Sequence, residues 1–187
     1  MKESSGKLDA GLLQRLQHND EEALGSLMEI YYDDLYNYGA RFTKNDGLIK
    51  DCIQEVFISL WQRRETAETI LSPKYYFLRA IKNKVLKAIH KSTPAHLQEE
   101  YDFFHEFSIE QIIIEKQVSD EKASKLKKVL SLLSKRQKEI IYLKYYQYLD
   151  HGQIAELMNI SRQSVYNLLH ETIHKLRALW HTEFVAH

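Results

Sequence analysis

Arg162, Gln163 and Asn167 carry forked or paired hydrogen-bonding groups that match base edges in the major groove of DNA. Their setting fits a helix-turn-helix. Ala155 is the small residue that lets two helices approach, and Asn159 tolerates the left-handed backbone of a sharp turn. Ser161 offers a hydroxyl to the free N–H groups that open the next helix. Val165, Leu168 and Leu169 restore the apolar period that packs this second helix on the first. Ser161, Arg162, Gln163, Ser164, Tyr166 and Asn167 are then the DNA-facing residues. His170 and Lys175 lie further along, within reach of phosphates or solvent.

A second pattern overlaps the first. His170-Glu171-Thr172-Ile173-His174 matches H-E-x-x-H, the zinc-protease signature. Helical phase at about 100° per residue puts both histidines nearly opposite Val165, Leu169, Thr172 and Leu176, facing solvent. A protease needs that pair in a cleft, with a third ligand and an open coordination position. No metal site, catalytic group or cofactor is therefore expected. A zinc metallopeptidase remains only a remote alternative.

The elements that must position these groups are helical. Two prolines, Pro73 and Pro94, and few glycines in 187 residues leave long periodic stretches uninterrupted. The spacing predicts a first helix from near Asn19 or Asp20 to Ala40 and a second over about Leu48 to Arg64. A loop over Glu65 to Ser72 leads to a third helix from Pro73 to about Lys91. Further helices are expected near Asp120 to Leu133, Lys135 to Tyr146, Gly152 to Met158 and Arg162 to about Trp180. No run is apolar enough for a membrane span or a signal region. The single cysteine, Cys52, falls in an apolar helical pattern, which fits a reduced, cytoplasmic setting.

Net charge is zero, but the charges are segregated. Ser72 to Ser92 holds six Lys/Arg and no acid, and Lys122 to Lys144 holds eight basic groups and one acid. Between them, Thr93 to Glu121 carries eight acids and one lysine, together with Tyr101, Phe103, Phe104, Phe107 and Ile112 to Ile114. That many large apolar groups make this connector a docking segment, not a plain flexible linker. On the third helix, Arg79, Lys82, Asn83, Lys84, Lys87 and Lys91 accompany Tyr75 and Tyr76. Such basic groups bind phosphates through counterion release, and aromatic faces receive unstacked bases. Phe77 is expected in the core, as are Val56, Phe57 and Leu60.

Three blocks in order carry a resemblance to a known family. They are Asp20-Glu21-Glu22-Ala23-Leu24 with Tyr31, Tyr32 and Leu35; the run Asp51 to Trp61; and Leu133 to Ile140 followed by the helix-turn-helix and Lys175-Leu176-Arg177. Along most of its length the chain resembles extracytoplasmic-function sigma factors of the sigma-70 family, which carry bacterial RNA polymerase to promoters. The resemblance implies an all-α fold of two small domains joined by a linker, with the helix-turn-helix in the C-terminal one. Expected bounds are 1–92 for a region-two-like domain, 93–120 for the linker and 121–187 for a region-four-like domain. It implies that Asp51, Gln54, Glu55, Ile58 and Trp61 grip core polymerase. The third helix and the loop before it would recognise and melt the start-proximal promoter element, and the recognition helix would read the upstream element. Expected partners are core RNA polymerase, promoter DNA and an anti-sigma protein, often membrane-anchored, with no small-molecule substrate. The chain departs from the family pattern at Lys87 (commonly Asp), Ser134 (Pro), Gln153 (Glu) and Asn159 (Gly). The main alternative is a stand-alone helix-turn-helix regulator, disfavoured by the Asp51 to Trp61 block and the second basic helix.

Overall fold

The computed structural model describes residues 2–92 and 120–184, with side chains over 8–91 and 124–182. Among these residues every regular element is helical, in two compact units, Met1–His105 and Glu106–His187. The all-α expectation holds. The connector expected over 93–120, with its Tyr, Phe and Ile side chains, lies outside the described residues apart from Asp120.

The first unit begins with a helix that the periodicity does not predict. This helix, α1 (Lys2–Gln17), buries Leu12, Leu13 and Leu16 against its neighbours. Asn19 then turns left-handed at φ 63°, and the Asp20 carboxylate accepts from the Ala23 amide at 3.2 Å to cap α2 (Glu21–Gly39). Asn45 caps α3 (Asp46–Gln62) by accepting from the Leu48 amide at 3.1 Å. A 3₁₀ turn, Arg64–Thr69, occupies the expected loop, and α4 (Pro73–Ser92) follows. Helices α2, α3 and α4 pack on one another, while α1 packs on α2 and the 3₁₀ turn. Phe77 lies at the centre, 4.6 Å from the Tyr31 ring and 5.2 Å from Phe57. Gly39 allows α2 its close approach: a Cβ there would lie 3.0 Å from Ile49 Cγ2.

The second unit is built from capped helices packed on the last one. Helix α5 (Asp120–Ser131) contributes buried Val129 and Leu130. Ser134 forms a capping box with Gln137 and starts α6 (Lys135–Ile141). The helix expected to run on to Tyr146 changes register into a π turn, Tyr142–Tyr146, closed by the Gln147 amide on the Tyr142 carbonyl at 2.9 Å. Gln147 Nε2 also donates to the buried Tyr142 hydroxyl at 2.7 Å. A second capping box, Asp150 with Gln153, opens α7 (His151–Met158). Asn159 leaves it at φ 52°, ψ 51°, and Ser161 Oγ accepts from the Ser164 amide at 3.0 Å to start α8 (Arg162–Phe184). Val165, Leu169 and Thr172 are the buried side of α8.

Two stability predictions follow from these caps. The Arg15 guanidinium, 2.8 Å from Asp20, holds that carboxyl below the usual carboxylate range, helped by the Ala23 amide. A depressed folded pKa contributes stability that is complete above the unfolded value of about 4 and is lost as pH falls through the folded value. The Tm advantage of wild type over Asp20→Asn should therefore be full at pH 6 and shrink in acid; a difference independent of pH would exclude this linkage. At the turn, Asn159→Ala should lower stability by about 1–2 kcal/mol, as a left-handed non-glycine backbone requires, whereas Asn159→Gly should not. Equal denaturant midpoints for the two variants would contradict the left-handed turn.

Candidate nucleic-acid interface

On α8 the side chains left outside the core begin at its N-terminus. Arg162, Gln163, Ser164, Tyr166, Asn167 and His170 are exposed, while Val165 and Leu169 are buried between them. Gln163 Nε2 donates to Asn167 Oδ1 at 3.1 Å, so the two amides present one joined polar edge. Ser161 and Ser164 share a 2.9 Å hydroxyl contact at the helix start. Gly152 leaves space for the Arg162 side chain, because a Cβ there would lie 2.9 Å from its Nη2. Tyr166 is 53% exposed, and its ring lies 4.2 Å from that of His151 at the start of α7. Sequence reasoning misses this contact, although His151 directly follows the Asp150 cap. Lys175 stands apart: it is half-buried and donates to Gln137 Oε1 at 3.5 Å. His170 and His174 are both exposed, and Thr172 between them is buried, its hydroxyl on the Leu168 carbonyl.

In the first unit, α4 presents Arg79, Asn83, Lys87 and Lys91 at the surface, while Phe77, Leu78, Ile81 and Val85 face the core. Four-residue spacing makes the first three one stripe. Lys82, Lys84, Tyr75 and Tyr76 flank it, half-buried. The Arg79 guanidinium lies 6.0 Å from the Tyr75 ring and the Lys82 ammonium 5.7 Å from Phe42. Tyr76 sets its edge on Phe77 at 5.4 Å, and burial pushes its hydroxyl pKa up. In the segment before α4, Leu71 is 98% exposed.

Helix α3 has a different outer face. Asp51, Gln54, Glu55 and Ile58 are exposed on one side, and Cys52, Val56, Phe57 and Leu60 are buried on the other. Trp61 is half-buried, with the Arg64 guanidinium 4.6 Å from its ring. The two faces meet where Lys84 Nζ pairs with Glu55 Oε2 at 3.0 Å. No sequence spacing would have joined these two residues, which come from different helices.

Comparison with known proteins places the chain in a family. A model for sigma-70 region 2 matches residues 27–94, and one for sigma-70 region 4 matches residues 129–178. Among curated proteins no match to the sequence is found. Among solved structures, CnrH in complex with the cytosolic domain of CnrY is similar, with a TM-score of 0.53 at 16% identity over 94% of this chain and 99% of that one. A chain of the RsbN–BldN complex aligns at a TM-score of 0.34 and 18% identity, over 89% of this chain and 98% of that one. With regions 2 and 4 together spanning more than half of its length, and an all-helical fold to match, the chain belongs to the sigma-70 family of RNA polymerase sigma factors.

Proposed function

We propose that the chain is an extracytoplasmic-function sigma factor: it carries core polymerase to a restricted set of promoters, works in the cytoplasm and has no catalytic chemistry of its own. The carrying observation is that exposed groups of three different chemistries stand on three separate helices, each backed by packed core. The polar and acidic face of α3, with Asp51, Gln54, Glu55, Ile58 and Trp61, meets the polymerase, where a charged rim around apolar area suits a basic partner. The basic stripe of α4, with Tyr75 and Tyr76, and the segment 65–72 take the start-proximal element. The N-terminal face of α8 reads the upstream element, with Arg162, Gln163 and Asn167 at base edges and Ser161, Ser164, Tyr166 and His170 near phosphates. No described helix is long and apolar enough to cross a membrane. CnrH is held by a cytosolic domain of another protein. For this chain the counterpart is an anti-sigma protein, membrane-anchored or not, that masks the polymerase and DNA surfaces.

Run-off transcription with purified core polymerase and a promoter library tests this function. Initiation from a discrete subset that depends on the chain is expected; operator binding by the chain alone, without initiation, would make it a stand-alone regulator. The double variant Gln54→Ala, Glu55→Ala should weaken core binding about tenfold or more, as truncation of interface anchors does, at unchanged Tm. Full affinity in that variant would place the polymerase surface elsewhere. Arg162→Ala should relax choice at one upstream base by about 1–3 kcal/mol, while Lys84→Gln should leave base choice intact and reduce the salt slope of binding by about one. Identical salt slopes for wild type and Lys84→Gln would remove Lys84 from the phosphate contacts.

A further inference from the structure

Helix α1 lies outside both matched regions, yet it holds the segment assigned above to the start-proximal element. It packs on the 3₁₀ turn Arg64–Thr69, with Leu13, Leu16 and Ala67 all at 1% exposure or less. At its end, Gln17 Nε2 donates to the Glu65 carbonyl at 3.1 Å, and Arg64 Nε donates to Asn19 Oδ1. The left-handed backbone at Asn19 (φ 63°) is held by its amide on the Leu16 carbonyl at 3.0 Å. Arg64 carries the connection onward: its Nη1 donates to the Trp61 carbonyl at 2.9 Å, and its guanidinium covers the Trp61 ring. The base of the segment is thus fastened from two sides, by α1 and by the end of α3. Its tip is open, with Glu68, Thr69 and Leu71 exposed.

A short segment anchored at its base keeps its tip in few conformations; with the base released, each residue regains backbone freedom and the tip spreads. We propose that Asn19 and Gln17 are positioning residues for promoter recognition, fixing the base of this segment so that Leu71 and its neighbours meet the start-proximal element in one register. The proposal rests on the assignment of residues 65–72 to that element. Neither residue touches DNA in this scheme, and both act through Arg64 and Glu65.

The test uses the full chain with core polymerase in run-off transcription from a library randomised separately at the two promoter elements. Three variants are compared with wild type: Asn19→Gly, which removes the acceptor but suits the left-handed backbone, Gln17→Ala, and Leu71→Ala at the tip. All three should flatten base preference at the start-proximal element, Asn19→Gly by about fivefold, the size of one net hydrogen bond. Preference at the upstream element should stay at the wild-type value, and Tm should fall by no more than about 2–4 °C, as loss of one net hydrogen bond requires. If Leu71→Ala flattens the preference while Asn19→Gly and Gln17→Ala do not, the positioning role is overturned and the assignment of the segment stands. If Leu71→Ala changes nothing, the assignment itself fails, and the proposal with it. A loss shared equally by both elements would reduce α1 to a stability element and equally overturn the proposal.

Discussion

The first unit depends on one buried knot around Tyr31. Its hydroxyl donates to Asp9 Oδ2 of α1 at 2.8 Å, its ring meets Phe77 of α4, and Phe77 in turn meets Phe57 of α3. Four helices are thereby tied through three aromatic rings and one carboxylate. Burial, then the hydrogen bond to Asp9, pushes the Tyr31 hydroxyl pKa well above its ordinary value, so the group stays a neutral donor. A buried phenol without an acceptor would cost about 1–3 kcal/mol, which is why α1 belongs to this core and is not an appendage. Burying each large apolar ring adds on the order of 2 kcal/mol, and the packing leaves little freedom in how α3 and α4 are turned about their axes.

That fixed rotation decides which residues are left for partners. The stripes Ile49, Ile53, Val56 and Leu60 on one helix, and Phe77, Ile81 and Val85 on the other, point inward, which leaves Gln54, Glu55 and Ile58, and Arg79, Asn83 and Lys87, on the outer faces. In the second unit the same selection is made by caps. The Ser134 and Asp150 capping boxes, and the Asn159 turn with the Ile160 amide on the Ala155 carbonyl at 3.0 Å, fix where α6, α7 and α8 begin and end. The departures at Ser134, Gln153 and Asn159 thus fall at positions whose chemistry the substituted residues can supply. Serine is a good cap, glutamine completes a box as glutamate does, and asparagine tolerates the left-handed region.

The features legible in the sequence are those with strong periodicity or strong local chemistry. The stripes of α2, α3 and α4, the Asn159 turn and the Ser161 cap all rest on contacts within a few residues. The exposed set on α8 follows from its phase against Val165 and Leu169. Helix α1 escapes a periodicity argument although Leu8, Leu12, Leu13 and Leu16 recur at helical spacing, because Ser4, Ser5, Gly6 and Gly11 dilute the pattern. The π turn is equally hidden, since it depends on Gln147 closing on Tyr142 inside the core. The contacts of Arg64 with Asn19 and of Lys84 with Glu55 span 45 and 29 residues, and no periodicity reports on pairs so distant. Lys175 illustrates the same limit: its helical phase does not disclose that Gln137 lies within reach.

The pairing of Lys84 with Glu55 lies where the acidic face of α3 meets the basic face of α4. The Lys84 side chain is 27% exposed and that of Glu55 64%, so the attraction is screened and worth at most about 1 kcal/mol. It is strong enough to neutralise one cation of the α4 face in the free chain and weak enough to be exchanged. On the proposed assignment of Glu55 to the polymerase and Lys84 to phosphate, a basic group docked on Glu55 would compete with Lys84 for that carboxylate. Every phosphate that a freed ammonium neutralises adds its own increment to the salt dependence of binding. On those assignments the two proposed surfaces share one ion pair, and the salt dependence of binding is where its exchange would be read.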